Sequence, residues 1–219
     1  FNIALRTYGI VVAVGPSGGG KSREALRYAG EQLRDGKIDR ICLFRPALHA
    51  EDDDLGFLPG SYDDKKSIYF KPLNETAKTV FGLTTDELLA RRVLDTFLPL
   101  DSRGATYGAN DRIIAIIDEA QDLTGRQFSA LQRRVGGNHQ MILTGDISRE
   151  QIDLDPRDGV PGLLRFISAA APYILGKEKS HDPALADLGQ EVGIVVFTAA
   201  DSRARSPRNE MLMALDRSP

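Results

Sequence analysis

An α/β chain with a mostly parallel central sheet, layered by helices on both faces, is predicted by three observations. Five short apolar runs alternate with amphipathic segments, a glycine-rich loop joins the first run to the first helix, and the third run ends in two adjacent carboxylates. Runs that are apolar throughout belong to strands covered on both faces, and their alternation with helices makes the sheet parallel.

Ile10 to Val14 is β-branched and apolar and reads as the first strand. Gly15-Pro16-Ser17-Gly18-Gly19-Gly20-Lys21-Ser22 follows and fits the G-x-x-x-x-G-K-[ST] loop at every position. Ser22 to Leu33 carries helical apolar spacing and ends near Gly36. The second strand, Ile41 to Phe44, contains the sole cysteine, Cys42, which reads as a buried small hydrophobe in a reducing compartment. Ala47 to Asp111 is too long for a simple crossover and reads as an insertion, with one good helix at Thr84 to Leu94 and at most a weak strand near Thr96 to Leu98. Ile113 to Ile117, Met141 to Leu143 and Val192 to Phe197 are the remaining strands. Helices are expected at Thr124 to Val135, Pro161 to Ala169 and Pro207 to Leu215, with Thr84, Thr124 and Ser206 as N-caps and a surface loop at Gly176 to Asp187. At 219 residues this is one domain, a three-layer P-loop NTPase core of the RecA-like kind over residues 1–219, with an insertion at about 47–111.

The loop points to a nucleotide because a triphosphate is a dense polyanion that backbone N–H groups approach closely only where side chains are missing. Gly18, Gly19 and Gly20 leave that room, Lys21 places a charge on the β and γ phosphates, and the Ser22 hydroxyl is a Mg²⁺ ligand at a helix N-terminus. Asp118 and Glu119 emerge from the carboxyl end of a strand of four Ile and one Ala, where α/β sheets place ligands. Asp118 is the candidate metal ligand and Glu119 the general base for the attacking water. Thr144-Gly145-Asp146, with Gln151 beyond, ends the next strand, where a polar group can sense the γ-phosphate; a helix cap followed by a turn is the competing reading.

A net charge of −3 argues against binding nucleic acid through bulk electrostatics. Arg203, Arg205, Arg208 and Arg217 form the densest basic segment. His49, His139 and His181 have no ligand spacing for zinc. No run is long enough to span a membrane and no secretory signal is visible. The chain opens at Phe1 rather than Met and reads as a piece of a longer protein.

Several motifs in fixed order resemble the PhoH-like ATPase family, whose cores are similar to those of superfamily 1 helicases. They are Ala4-Leu5-Arg6-Thr7 before the loop, Phe44-Arg45-Pro46-Ala47, Leu55-Gly56-Phe57-Leu58-Pro59-Gly60, Lys71-Pro72-Leu73, Arg103-Gly104, Asp118-Glu119-Ala120-Gln121, Thr144-Gly145-Asp146 and Gln151-Ile152-Asp153-Leu154. The resemblance implies ATP and Mg²⁺, hydrolysis in a cytoplasmic protein, ring oligomers and a link to RNA or other single-stranded nucleic acid. It also implies phosphate contacts by Arg45, Arg103 and Arg205 and places Gln121 and Gln151 at the nucleotide site. Arg205 stands in Arg205-Ser206-Pro207, which looks like the family's C-terminal arginine motif, and Arg203 is its rival. A phage-type member would suit so short a chain.

One core has no second domain to supply positive charge across a cleft, so an arginine from a neighbouring subunit is the economical source; such fingers are worth about 10³ to 10⁵ in rate. Lys21, Glu119 and Arg205 are therefore the expected catalytic set. The alternatives are a nucleotide-binding switch without turnover, a small-molecule kinase and a strand-separating motor.

Overall fold

The computed structural model describes residues 1–46, 62–98, 107, 108, 110–135, 139–148, 151–176 and 188–198. Six strands, β1 (Ile10–Val14), β2 (Arg40–Phe44), β3 (Leu94–Phe97), β4 (Ile113–Ile117), β5 (Gln140–Gly145) and β6 (Val192–Val196), form one sheet in the order β3-β2-β4-β5-β1-β6. Every neighbouring pair is parallel. The helices are α1 (Asn2–Thr7), α2 (Lys21–Arg34), α3 (Tyr62–Phe81), α4 (Thr85–Ala90), α5 (Gly125–Val135), α6 (Gly162–Ile174) and α7 (Leu188–Glu191).

Side chains alternate across the sheet, so each strand feeds two cores. Ile114 and Ile116 of β4 join Ile41, Leu43 and Val11 under α1 to α4. Ile113, Ala115 and Ile117 join Cys42, Phe44 and Leu143 under α5 and α6. This two-sided burial is why β4 is apolar at all five positions. Each isoleucine removed from water contributes about 1.5–3 kcal/mol, which anchors the strand that carries the acidic pair.

The strands at 10–14 and 113–117 stand as expected, and those at 40–44 and 140–145 extend the apolar runs by flanking residues. Where a helix was expected over Thr84 to Leu94, α4 closes at Ala90. Arg92 turns the backbone left-handed (φ 58°), and Leu94 opens β3 opposite Ile41. The register with β2 outweighs local helical spacing, and β3 starts two residues before the weak strand expected there. Thr84 is the expected N-cap: its side chain accepts from the Glu87 N–H while the Glu87 carboxylate accepts from the Thr84 N–H. Thr124 and Gln127 make the same reciprocal pair, at 3.2 and 2.9 Å, ahead of α5.

Among the described helices the sequence reading omits three, α1, α3 and the four-residue α7. α1 is a six-residue helix with Ala4 and Leu5 buried. α3 spans 20 residues with Pro72 inside it and buries Phe70, Leu73 and Ala77 against the α2 side of the sheet. Its charged residues and the proline obscured the three-and-four spacing. The expected helix at Pro207 to Leu215, the Leu55 to Gly60 stretch and the loop at Gly176 to Asp187, apart from Gly176 itself, lie outside the described residues.

Candidate functional site

β2 and β4 end level, and their neighbour β5 runs two residues farther along β1. Phe44 is paired with Ile117, and Ile117 with Leu143. The next residue on each strand is Arg45, Asp118 and Thr144, so the ladder itself sets these three polar groups in one row at the carboxyl edge. The Asp118 N–H donates to the Phe44 carbonyl at 2.9 Å, holding the row in register past the end of β4.

Asp118 is the centre of that row and is only 3% exposed. The hydroxyls of Ser22 and Thr144 both donate to its Oδ1, each at 2.6 Å. Arg45 lies 3.6 Å from the other oxygen, Oδ2, and 3.7 Å from a Glu119 oxygen. One half-buried guanidinium thus offsets the repulsion between two adjacent carboxylates. Glu119 itself takes φ 52°, a left-handed conformation uncommon outside glycine, and its side chain keeps about a third of its surface exposed.

The glycine-rich loop is built from backbone. Gly15 has φ 140°, and a Cβ there would stand 2.2 Å from the Phe197 carbonyl oxygen, so no side chain fits. Gly15 N–H donates to Gly145 O at 3.1 Å and Phe197 N–H to Val14 O at 2.7 Å, which ties the loop to the strands on both sides of β1. Pro16, Ser17, Gly18 and Gly19 form the turn, and Gly20 caps α2 without a side chain. The first-turn N–H groups of this 14-residue helix point into the loop, where the helix dipole favours an anion. Buried Lys21 donates its ammonium to the carbonyls of Gly15 and Pro16, at 2.6 and 2.8 Å.

Gln121 joins the acidic pair to the end of β5. Its amide nitrogen donates to Glu119 Oε2 and Asp122 Oδ2, each at 3.0 Å, and to the Gln151 carbonyl at 3.4 Å. Its amide oxygen accepts from the Asp146 N–H at 3.1 Å. Gly145 lies close beside it: a Cβ there would stand 2.6 Å from Gln121 Oε1 and push that amide aside. Gln151 enters through its carbonyl, its side chain being exposed. The Asp146 carboxylate accepts from the Ser148 N–H and hydroxyl, at 3.0 and 2.8 Å, which closes a local turn. Thr144 points instead to Asp118. The cap-and-turn alternative therefore describes Asp146 and not Thr144.

Asp122 is a participant that the sequence reading passed over, although it stands next to Gln121. It is 5% exposed and accepts from the Asp153 N–H at 2.9 Å. Burial, reinforced by the charges of Asp153 and Glu119, pushes its carboxyl up to about 6, against the pull of those two hydrogen bonds. Phe197, the rear wall of the loop, was legible only as the end of the last apolar run. Arg103 and Arg205, and the rival Arg203, lie outside the described residues. Buried Cys42 has its thiol pushed up to about 12, chiefly by desolvation.

The donor set fits a hard cation: two hydroxyls and a carboxylate, all oxygen, next to a loop of backbone donors. A six-stranded parallel sheet with this loop after β1 and this acidic pair after β4 defines a P-loop NTPase fold. A profile of the PhoH-like protein family matches residues 1–173. A PhoH-like protein of Bacillus subtilis strain 168 is 38% identical over 152 residues, 69% of this chain and 46% of the relative. Protein PhoH of Escherichia coli K12 is 34% identical over 163 residues, 73% of this chain and 44% of the relative. A PhoH-like protein of Mycobacterium tuberculosis H37Rv is 34% identical over 170 residues, 76% of this chain and 44% of the relative. The chain belongs to the PhoH-like family, and it matches less than half the length of these relatives.

Proposed function

We propose that this chain binds and hydrolyses ATP with Mg²⁺ and couples that turnover to single-stranded nucleic acid, RNA in the first place. The observation that carries the reading is the meeting of the Ser22 and Thr144 hydroxyls on one oxygen of buried Asp118, beside a lysine-bearing loop whose Gly15 has no room for a side chain.

In this reading Gly15 to Ser22 cradle the phosphates and Lys21 exchanges its carbonyl partners for phosphate oxygens. Ser22 and Asp118 would hold Mg²⁺, which supplies charge neutralisation on the transferring phosphoryl group. Thr144 keeps the Asp118 carboxylate aimed through its hydroxyl. Glu119 takes the proton from the attacking water, and Gln121 fixes the orientation of its carboxylate. Gly145, Asp146 and Gln151 relay the state of the γ-phosphate through the Gln121 amide. Arg45, Arg103 and Arg205 are the phosphate-facing arginines, Arg205 from a neighbouring subunit of a homo-oligomeric ring. A cytoplasmic setting agrees with the buried free cysteine, and among the described residues no helix is long and apolar enough to cross a membrane.

Phosphate release measured on the Glu119→Gln protein tests the reading. A loss of about 10²- to 10⁴-fold in turnover is expected, with binding of a fluorescent ATP analogue retained. Undiminished turnover would remove Glu119 from its role, and binding without hydrolysis in the unmutated chain would make it a nucleotide switch.

A further inference from the structure

The arginines of this acidic chain are distributed unequally. Arg6, Arg27, Arg40, Arg112 and Arg157 each sit on a carboxylate. On α5 and α6, which pack side by side, the pattern reverses. α5 carries Arg126, Arg133 and Arg134, α6 carries Arg165, and neither helix has an Asp or Glu. Among the described residues Arg126, Arg133 and Arg165 are exposed and make no ion pair. Arg126 and Arg133 are seven residues apart, hence on one stripe of α5 and about 10 Å apart along its axis.

Beside that stripe the two helices leave an open groove of about 250 Å³. Ser129, Gln132, Arg165 and half-buried Phe166 line it, with buried Phe128 as its floor. The Phe128 and Phe166 rings lie 5.7 Å apart. Guanidinium groups for phosphates, an aromatic face and a guanidinium plane for stacking, and amide and hydroxyl groups for base edges are the parts that hold unpaired nucleotides. The groove is anchored to the nucleotide site. Gly162 N–H, at the start of α6, donates to Leu123 O at 2.8 Å, and the neighbouring Leu163 packs at Gly145.

We infer that the α5–α6 groove is a binding site for single-stranded nucleic acid, with Arg126 and Arg133 on the backbone and Arg165 and Phe166 at a base. The inference rests on the nucleic-acid coupling proposed above and gives it a location. An acidic protein partner is the lesser fit, because the groove combines its charge with a stacking face and hydrogen-bonding groups sized for a base edge.

The test is fluorescence anisotropy of fluorescein-labelled oligo(U) and oligo(dT) on the full chain, beside basal ATP turnover, for the wild type, an Arg126→Glu/Arg133→Glu double variant, Arg165→Glu and Phe166→Leu. The expected result is affinity lowered about tenfold or more by each charge reversal, with a salt slope reduced by roughly one to two in the double variant, and basal turnover unchanged. Arg→Gln versions read the same salt slope should a reversal disturb folding. Equal binding by wild type and variants overturns the groove and leaves nucleic-acid coupling to another surface. No binding by the wild type at low salt overturns both, and assigns the basic face to an acidic protein or a second copy of the chain. Loss of turnover with binding intact in the wild type overturns the ATPase reading and leaves the groove standing.

Discussion

The two halves of the candidate site are made from different materials. The loop from Gly15 to Ser22 works by what it lacks: its partners are carbonyls and N–H groups, and its shape depends on missing side chains. The half around Asp118 is made of side chains, with two hydroxyls and a guanidinium converging on its buried carboxylate and an amide on the partly exposed carboxylate of Glu119. A backbone half tolerates changes of neighbour but no added atom, whereas a side-chain half tolerates isosteres but no lost partner. Mutations should separate the two.

The largest effect is expected from Asp118→Ala. It strands the Ser22 and Thr144 hydroxyls and leaves Arg45 buried beside Glu119 alone, costing about 3–5 kcal/mol, read as a fall in the urea midpoint together with loss of phosphate release. Gly15→Val comes next. Its Cβ collides with the Phe197 carbonyl and its φ is unsuited to a branched residue, so about 3 kcal/mol of strain is expected. Nucleotide binding should fall with stability, and a variant that loses stability while binding ATP normally would break the comparison.

Asp122 supplies a pH signature for the side-chain half. Its carboxyl is raised from 3.8 to about 6 in the folded chain, so the folded state holds the extra proton. The corresponding stability is complete below about pH 4 and is lost as pH rises through 6, amounting to at most about 3 kcal/mol at 1.36 per unit. Urea unfolding from pH 4 to 7 should show this fall in the wild type and a shallower one in Asp122→Asn; identical slopes would remove Asp122 from the titration. The smallest effect is Thr144→Val, which keeps shape and deletes one hydrogen bond to a charged acceptor, about 2 kcal/mol. Stability should drop while ATP binding survives, because the loop half is untouched.

The same difference explains what was legible. A backbone cradle must be written contiguously, so Gly15 to Ser22 can be read from one stretch of chain, and the strand before it and helix after it confirm its setting. Asp118 and Glu119 were legible because five buried apolar residues precede them. Arg45, Thr144 and Ser22 were named as site residues, but their meeting on Asp118 was not legible, because they reach it only through the register of β2, β4 and β5 and the entry of α2, which no local pattern encodes. Gln121 was placed at the nucleotide by resemblance; its amide bridging four groups is a tertiary fact. Asp122 was passed over, since burial cannot be read from a short 3-10 turn, here Ala120–Asp122. The early end of α4 has the same origin, with pairing to Ile41 overriding helical spacing.

The wall behind the loop has a consequence for how the protein comes into being. Phe197, just beyond β6, follows Gly15 by 182 residues, so a ribosome delivers the cradle long before its backing. A nascent chain carrying every residue of the loop still lacks the strand that shapes it. Such long-range parallel pairing is slow to close and leaves edges exposed meanwhile. The ability to hold a nucleotide should therefore appear abruptly, once β6 has emerged and paired with β1, making ligand capture a reporter of completed assembly of the sheet.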